Sequence, residues 1–426
     1  MRHRITFALL FLFSQGFTQD DAPKGFAHYW RQAQNTYKAK DYPAYLENMK
    51  AVVKYRPDNP NMKYNLAGAQ ALAGNAHEAL ALLNTLAEMG LVYDAAADED
   101  FNALREAEAF KILVKKFAQN KTPVGRSTVA FKLPEKDLIT ESVAYDPKTS
   151  AFFVGSVHKR KIVRIDQKGT SRDFATSQAG LWSVMGMKVD AARGALWACS
   201  AVVPEMQGYK KEDDGRAGVF KFEVKSGQLL KSYLISNQPQ AHVFGDLTIR
   251  ANGDVYISDS VSPAIYRITR VKDELELFMT SDLFRSPQGL TFSSDEKYLF
   301  VADYSVGIIK VDPATKLANK IAAPENMAFT TVDGMYFYKN SLLAIQNGIN
   351  PHRVVRFFLN QNYDRLERAS VIEANNARFN EPTLGVLVRD TFYYIANSQW
   401  SSFNQDKTIF PLEKLQEPLV LKTKLE

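Results

Sequence analysis

The chain has 426 residues, 46% of them hydrophobic and 12% aromatic, which is too much apolar sequence for one small core and suits two domains. Its 53 Lys and Arg nearly balance 47 Asp and Glu, with no long block of one sign, so the charge pattern gives no footprint of a nucleic-acid-binding surface. Cys199 is the only cysteine, which excludes an intramolecular disulfide and argues against a clustered Cys/His zinc site.

The N-terminus opens with Arg2 and Arg4, continues with the apolar run Ile5 to Phe13, and reaches the small residues Ser14 and Gly16. That order predicts a cleavable secretory signal over residues 1–16. The apolar run is too short to span a bilayer as a stable helix, and the mature chain is predicted to carry no transmembrane segment. Export with a lone cysteine fits a bacterial periplasm or cell exterior better than a disulfide-rich secretory route.

Residues 25–119 read as helical, rich in alanine, leucine, lysine and glutamate. The clearest stretch carries Asn65, Leu66, Ala67, Gly74, Ala76, Ala79 and Leu83, a spacing similar to the tetratricopeptide repeat. In that reading the small residues Ala67, Gly74 and Ala79 let two antiparallel helices approach, while Leu66 and Leu83 fill the space between them. A looser copy runs from Tyr29 to Pro57, and a third helical stretch from Asp100 to Phe117 caps the stack. Such a module predicts a groove for a protein partner; the alternative is that its helices only pack on the following domain.

A linker is predicted at Asn120 to Arg126, around Pro123 and Gly125. Beyond it, short runs of Val, Ile, Phe, Tyr and Leu alternate with turns such as Asp146-Pro147-Lys148-Thr149 and Ala251-Asn252-Gly253-Asp254, which is all-β sequence. Similar strand starts recur at Glu141, Met185, Asp246, Gln288, Asp333 and Glu381, at intervals of 42 to 48 residues except for one of 61. Six units of that length predict a six-bladed β-propeller over 127–426, with the first strand of each blade lining a central channel and an insertion at Val202 to Ala217 in the second blade. Either Thr128 to Leu133 or Leu419 to Leu425 would close the ring. The expected fold class is therefore multidomain α plus all-β, a short TPR-like helical module followed by a propeller.

The fragments Glu141-Ser142-Val143-Ala144-Tyr145-Asp146, Gly245-Asp246-Leu247, Gln288-Gly289-Leu290 and Asp333-Gly334-Met335 occur in this order around the ring, together with Tyr256-Ile257-Ser258-Asp259-Ser260 and Ile265-Tyr266-Arg267. In these the propeller resembles the SMP-30/gluconolactonase family and its paraoxonase and strictosidine-synthase relatives. The resemblance implies one divalent cation, usually calcium, held in the channel by Glu141, Gln288 and Asp333, with Gln288 standing where the family has asparagine. A further family asparagine that helps hold substrate falls at Gly245, which offers no side-chain ligand.

The residues make a chemical argument of their own. Glu141, Asp246, Asp333 and Glu381 all open first strands and converge on one axis, where their repulsion calls for a cation or for shared protons. Oxygen-only ligands favour calcium or magnesium. With a metal present, Asp333 is the candidate general base for a hydrolase that forms no covalent intermediate. The loops Ala201 to Gly218, Gln346 to Arg353 and Ser398 to Lys407 map to the same face and could form a lid over a small-molecule ligand. His158, His242 and His352 map there too, and His242, four residues before Asp246, is the candidate proton shuttle. Asp246, Glu381, His158 and His352 are the candidate substrate contacts. Trp182, Trp197 and Trp400 read as packing or loop anchors, and no Gly-x-Ser-x-Gly nucleophile motif occurs. Two functions follow: an exported calcium-dependent hydrolase of a sugar lactone or related ester, or a non-catalytic binding protein whose propeller presents a ligand face while its repeats hold a partner.

Overall fold

The computed structural model describes residues 25–426; the predicted export signal over residues 1–16 lies outside the described residues. Among the described residues no helix is long and apolar enough to cross a membrane. The chain divides into two units at Thr122/Pro123, the first also taking in residues 325–328 and 348–350.

The first unit is helical. Helix α1 (Phe26–Lys38) pairs with α2 (Tyr42–Tyr55), α3 (Pro60–Leu72) pairs with α4 (Ala76–Glu88), and α5 (Glu108–Gln119) follows a 3₁₀ turn at Glu99–Leu104. Local chemistry sets the starts: Asp41 caps α2 by accepting from the Ala44 amide, and Asn59 caps α3 through the Asn61 and Met62 amides, with Pro60 directly after it. Ala67, Ala79 and Leu83 are fully buried between α3 and α4, as their spacing predicts. Gly74 is different. A side chain there would meet nothing, and its φ of +84° shows that it serves the left-handed turn ending α3 and not the packing between helices.

The second unit is a six-bladed β-propeller of four-stranded antiparallel sheets. Blades 1 to 5 begin with the innermost strands Thr140–Asp146, Ser183–Asp190, Phe244–Ile249, Pro287–Phe292 and Val332–Phe337. Blade 6 is built from Gly385–Val388, Thr391–Ile395, Leu419–Lys424 and, outermost, Thr128–Lys132. Both candidate closing strands are thus used, side by side, and they join the two ends of the unit in one sheet. The extra length of blade 2 is the loop over residues 202–216, between Ala195–Ala201 and Ala217–Glu223.

The five innermost strands of blades 1 to 5 share an irregularity that positions the site. In each, three residue steps on the inner strand oppose two on its neighbour: Thr140 to Val143, Val184 to Met187, Phe244 to Leu247, Pro287 to Leu290 and Val332 to Met335. This is a β-bulge, which inserts one residue and re-aims the side chains around it. The bulged pairs are Glu141-Ser142, Met185-Gly186, Gly245-Asp246, Gln288-Gly289 and Asp333-Gly334. The second position is crowded: a Cβ on Gly186 would lie 2.4 Å from Asp246 Oδ1, and one on Gly289 would lie 2.4 Å from the Asp333 carbonyl oxygen. Glycine at these places lets one bulge abut the next around the ring.

Candidate active site in the propeller channel

Glu141 and Asp333 each stand at the first position of a bulge and keep part of their surface open, whereas Asp246, at a second position, is buried. Glu381 precedes the first strand of blade 6 by four residues and adopts a left-handed φ of +65°. Its carboxylate joins the group through electrostatics with Glu141 and Asp333.

Burial raises all four carboxyl groups above the ordinary range, and neighbours modulate each. Glu141 is held well above that range by burial and then by Asp333 and Glu381, opposed by donors from Trp400 and Ser398. Burial pushes Asp333 up to about 7, against the Asn347 amide and reinforced by the charge of Asp246. Burial followed by the charge of Asp333 pushes Glu381 up to about 7, with the Trp400 backbone amide opposing. Asp246 is also raised by burial, and Lys188 is the largest opposing influence.

Each carboxylate has defined partners. Trp400 Nε1 donates to Glu141 Oε2 at 2.7 Å, and Ser398 Oγ donates to the same oxygen at 3.4 Å. Asn347 Nδ2 donates to Asp333 Oδ2 at 2.7 Å, while the hydroxyl of the partly buried Tyr304 donates to Asn347 Oδ1 at 3.1 Å. Lys188 Nζ lies 3.0 and 3.4 Å from the two oxygens of Asp246. The same ammonium stands 5.3 Å from the centre of the Tyr336 ring, on the opposite blade. Trp400, Asn347, Tyr304 and Lys188 were not among the site residues expected from sequence.

Gln288 turns away from its counterparts. Its Nε2 donates to Ser286 Oγ at 3.1 Å, and its Oε1 lies 3.2 Å from where a Cβ on Gly245 would be. The longer amide thus occupies the room that the missing side chain of Gly245 leaves.

The predicted histidines lie apart from this group. His242 Nδ1 is 2.5 Å from Asp259 Oδ2, in a buried corner where the other Asp259 oxygen accepts the Val243, Val261 and Ser262 amides. Asp303 in blade 4 clasps the amides of Arg285, Ser286, Ser305 and Val306 in the same way, so the Asp259 corner repeats a device of the fold. His158 Nδ1 is 2.6 Å from the Glu205 carbonyl oxygen, and its ring packs on Phe403 with centroids 5.7 Å apart. His352 is partly buried, and burial holds its imidazole below the ordinary value. No hydrogen bond among the described residues joins any of these three imidazoles to the four carboxylates.

Two of the predicted lid loops meet. Lys407 of the blade 6 loop reaches Glu205 of the blade 2 loop at 2.7 Å, and the carboxylate it pairs with is buried. Together with Trp400 on Glu141, this fastens the blade 6 loop at two carboxylates. Surface clefts of about 460 Å³, lined by Arg105, Phe110, Lys111 and Val114 among others, and about 280 Å³, lined by Glu212, Asp213 and Arg216 among others, contain none of the channel residues.

The donor set can be tested for a divalent cation. Such an ion needs several oxygens converging at about 2.3–2.6 Å for calcium. In the channel the Gln288 amide is turned to Ser286 and Gly245, Asp246 is engaged by Lys188, and one oxygen each of Glu141 and Asp333 is taken by Trp400 and Asn347. Among the described residues no three His, Cys, Asp or Glu side chains are spaced to hold a metal ion. The residues as arranged do not fit a cation cage.

No known family profile matches the chain, and no curated protein does. Solved structures similar to it include a gluconolactonase from Xanthomonas campestris, with 13% identity and a TM-score of 0.45, covering 71% of this chain and 98% of that one. A PQQ-bound aldose sugar dehydrogenase from Streptomyces coelicolor has 12% identity and a TM-score of 0.46, covering 71% and 99%. Virginiamycin B lyase from Staphylococcus aureus has 14% identity and a TM-score of 0.46, covering 71% and 95%. The fold and channel define a six-bladed propeller with an acidic centre; these likenesses, distant as they are, carry no activity over to it.

Proposed function

We propose that the propeller hydrolyses a sugar lactone or related ester at its channel mouth, with Asp333 as general base and Glu141 as its protonated partner. The observation that carries this is the electrostatic coupling of Glu141 to Asp333, two partly open carboxyl groups at first bulged positions of one channel, both raised above the ordinary range. Burial, then Asp333 and Glu381, hold the Glu141 carboxyl well above the ordinary carboxylate range and so favour its proton-bearing form, while burial pushes Asp333 up to about 7. The two titrate as a pair.

In this reading water beside Asp333 gives up a proton as it attacks the carbonyl carbon. The carbonyl oxygen, gaining charge, accepts a hydrogen bond from the Glu141 carboxyl. Collapse of the tetrahedral intermediate breaks the ring C–O bond, and the alkoxide leaves with the proton that Asp333 took from water, which restores both carboxyl groups. Asn347, anchored by Tyr304, fixes the Asp333 carboxylate in position. The test is hydrolysis of a panel of aldonolactones and aryl esters by the wild type and by Asp333→Asn. Turnover reduced at least a hundredfold in the variant, with unchanged thermal stability, supports the reading; equal rates in the two, or none in the wild type, defeats it.

A second reading is a ligand-binding propeller without catalysis, favoured by the Gln288 amide that fills the space at Gly245. Equilibrium binding of the same lactones without turnover would select it. Export to the periplasm or cell exterior belongs to the proposal through residues 1–16 and is tested by fractionating cells that express the full chain. A protein partner for the helical unit is likewise proposed, and pull-down with that unit deleted tests it.

A further inference from the structure

We propose that the ammonium of Lys188 is the resident cation of this channel, so that the acidic centre works without a divalent ion. The inference rests on the hydrolase reading only for its kinetic arm.

The placement of Lys188 follows from the bulge. Counting by twos from Met185 would bring Met187 to the channel and send Lys188 outward; the extra residue reverses this. Met187 is accordingly fully buried within blade packing, while Lys188 extends inward. Tyr336 holds the equivalent position in blade 5, one residue past Met335, and blades 2 and 5 face each other across a six-membered ring. An ammonium carried by one and lying 5.3 Å over the ring carried by the other must cross the channel. There the aromatic face and both Asp246 oxygens receive it.

This charge stands where a metal ion would be useful and makes one unnecessary. Asp246 acts electrostatically on Asp333, and Asp333 acts on Glu141 and Glu381, so the ion pair is coupled to the whole acidic group. A second cation placed beside a fixed ammonium meets repulsion, and one oxygen each of Glu141 and Asp333 is already taken by Trp400 and Asn347. The lysine also explains the two departures at Gly245 and Gln288: a centre neutralised from blade 2 has no need of amide ligands from blades 3 and 4.

Calorimetric titration of calcium, magnesium and manganese into the full mature chain tests this directly, together with thermal unfolding with and without EDTA. The wild type is expected to show no saturable cation binding and a Tm that calcium and EDTA leave unchanged. Lys188→Met, or Lys188→Gln should the methionine variant fail to fold, is expected to gain a saturable site. Calcium at a hundredfold excess over its Kd should then raise the variant's Tm by about 5 °C. Lys188→Arg should behave as wild type. Stoichiometric calcium binding by the wild type that Asp333→Asn abolishes would overturn the proposal, as would a folded, uncharged Lys188 variant that acquires no cation site. Lactone turnover by the wild type that survives EDTA adds support, and turnover that EDTA abolishes counts against it. Absence of any turnover defeats the hydrolase reading and leaves the binding measurements to decide the role of Lys188.

Discussion

The indole of Trp400, carried by a loop of the last blade, hydrogen-bonds Glu141 in the first blade at 2.7 Å. A single contact thus ties the loop over residues 398–409 to the acidic centre, while Lys407 fastens the same loop to Glu205. Trp400→Phe keeps the ring's bulk and removes the donor. The Glu141 carboxyl should then be raised further, because a hydrogen bond that favours its charged form is lost. A cost of about 1 kcal/mol, read as a Tm lower by ~2–4 °C, is expected. Lactone turnover should fall about tenfold as the loop and its carboxylate lose their common anchor. An unchanged Tm and rate would show that the contact contributes nothing.

The raised pKa of Glu381 has a signed consequence for stability. Its carboxyl titrates at about 7 when folded, above the ordinary carboxylate value near 4 when unfolded. Between those values the native state binds more protons, so this group's contribution to stability is full below pH 4 and is lost as pH rises toward 7. Glu381→Gln removes that loss. The variant should therefore be more stable than wild type at pH 8, with the advantage shrinking toward pH 4 in urea-unfolding curves. A difference that does not vary with pH would rule out the strained carboxylate. Asp333 follows the same sign, and kcat/KM should rise through about pH 7 as the base ionises.

The propeller was legible in the sequence because four inner strands, in blades 1, 3, 4 and 5, repeat one local pattern: a polar or small residue, a residue next to the neighbouring blade, then an apolar residue for the core. Glu141, Gln288 and Asp333 could be aligned on that pattern, and all three occupy the first bulged position. Asp246 aligned poorly by one residue: it occupies the second bulged position, with Gly245 in the first. Lys188 was hidden for a related reason, since the inserted residue inverts the alternation by which a channel-facing side chain is recognised. In blade 6 the first strand begins at Gly385 and not at Glu381, whose left-handed backbone and following Pro382 delay it. Asn347 and Tyr304, 43 residues apart, meet only through the ring, and no local spacing announces such a pair.

Gly245 and Gln288 should behave as one unit. A Cβ on Gly245 would lie 3.2 Å from Gln288 Oε1, and the backbone of Gly245 has no positive φ, so the obstacle to a side chain is the amide alone. Gly245→Asn is expected to cost about 1–2 kcal/mol by displacing the Gln288 side chain from Ser286. Gly245→Asn combined with Gln288→Asn should recover most of that loss, giving a coupling of about 1 kcal/mol in a double-mutant cycle by urea denaturation. Additive costs would mean that the two positions are independent.

His242 offers a direct contrast between a shuttle and a corner. Its Nδ1 is held by Asp259, a carboxylate whose four-partner clasp is repeated by Asp303 with backbone amides alone. In blade 4 that clasp needs no histidine, which makes the imidazole of blade 3 a side-chain substitute for an amide donor. His242→Asn retains a donor but shortens its reach, and the buried Asp259 oxygen loses part of its satisfaction. The expected result is a stability loss of about 1–3 kcal/mol in urea, with kcat for lactone hydrolysis within twofold of wild type at 25 °C. A proton shuttle would give the opposite pattern: a kcat lowered a hundredfold or more, a changed acid limb in the pH profile, and an almost unaltered unfolding curve.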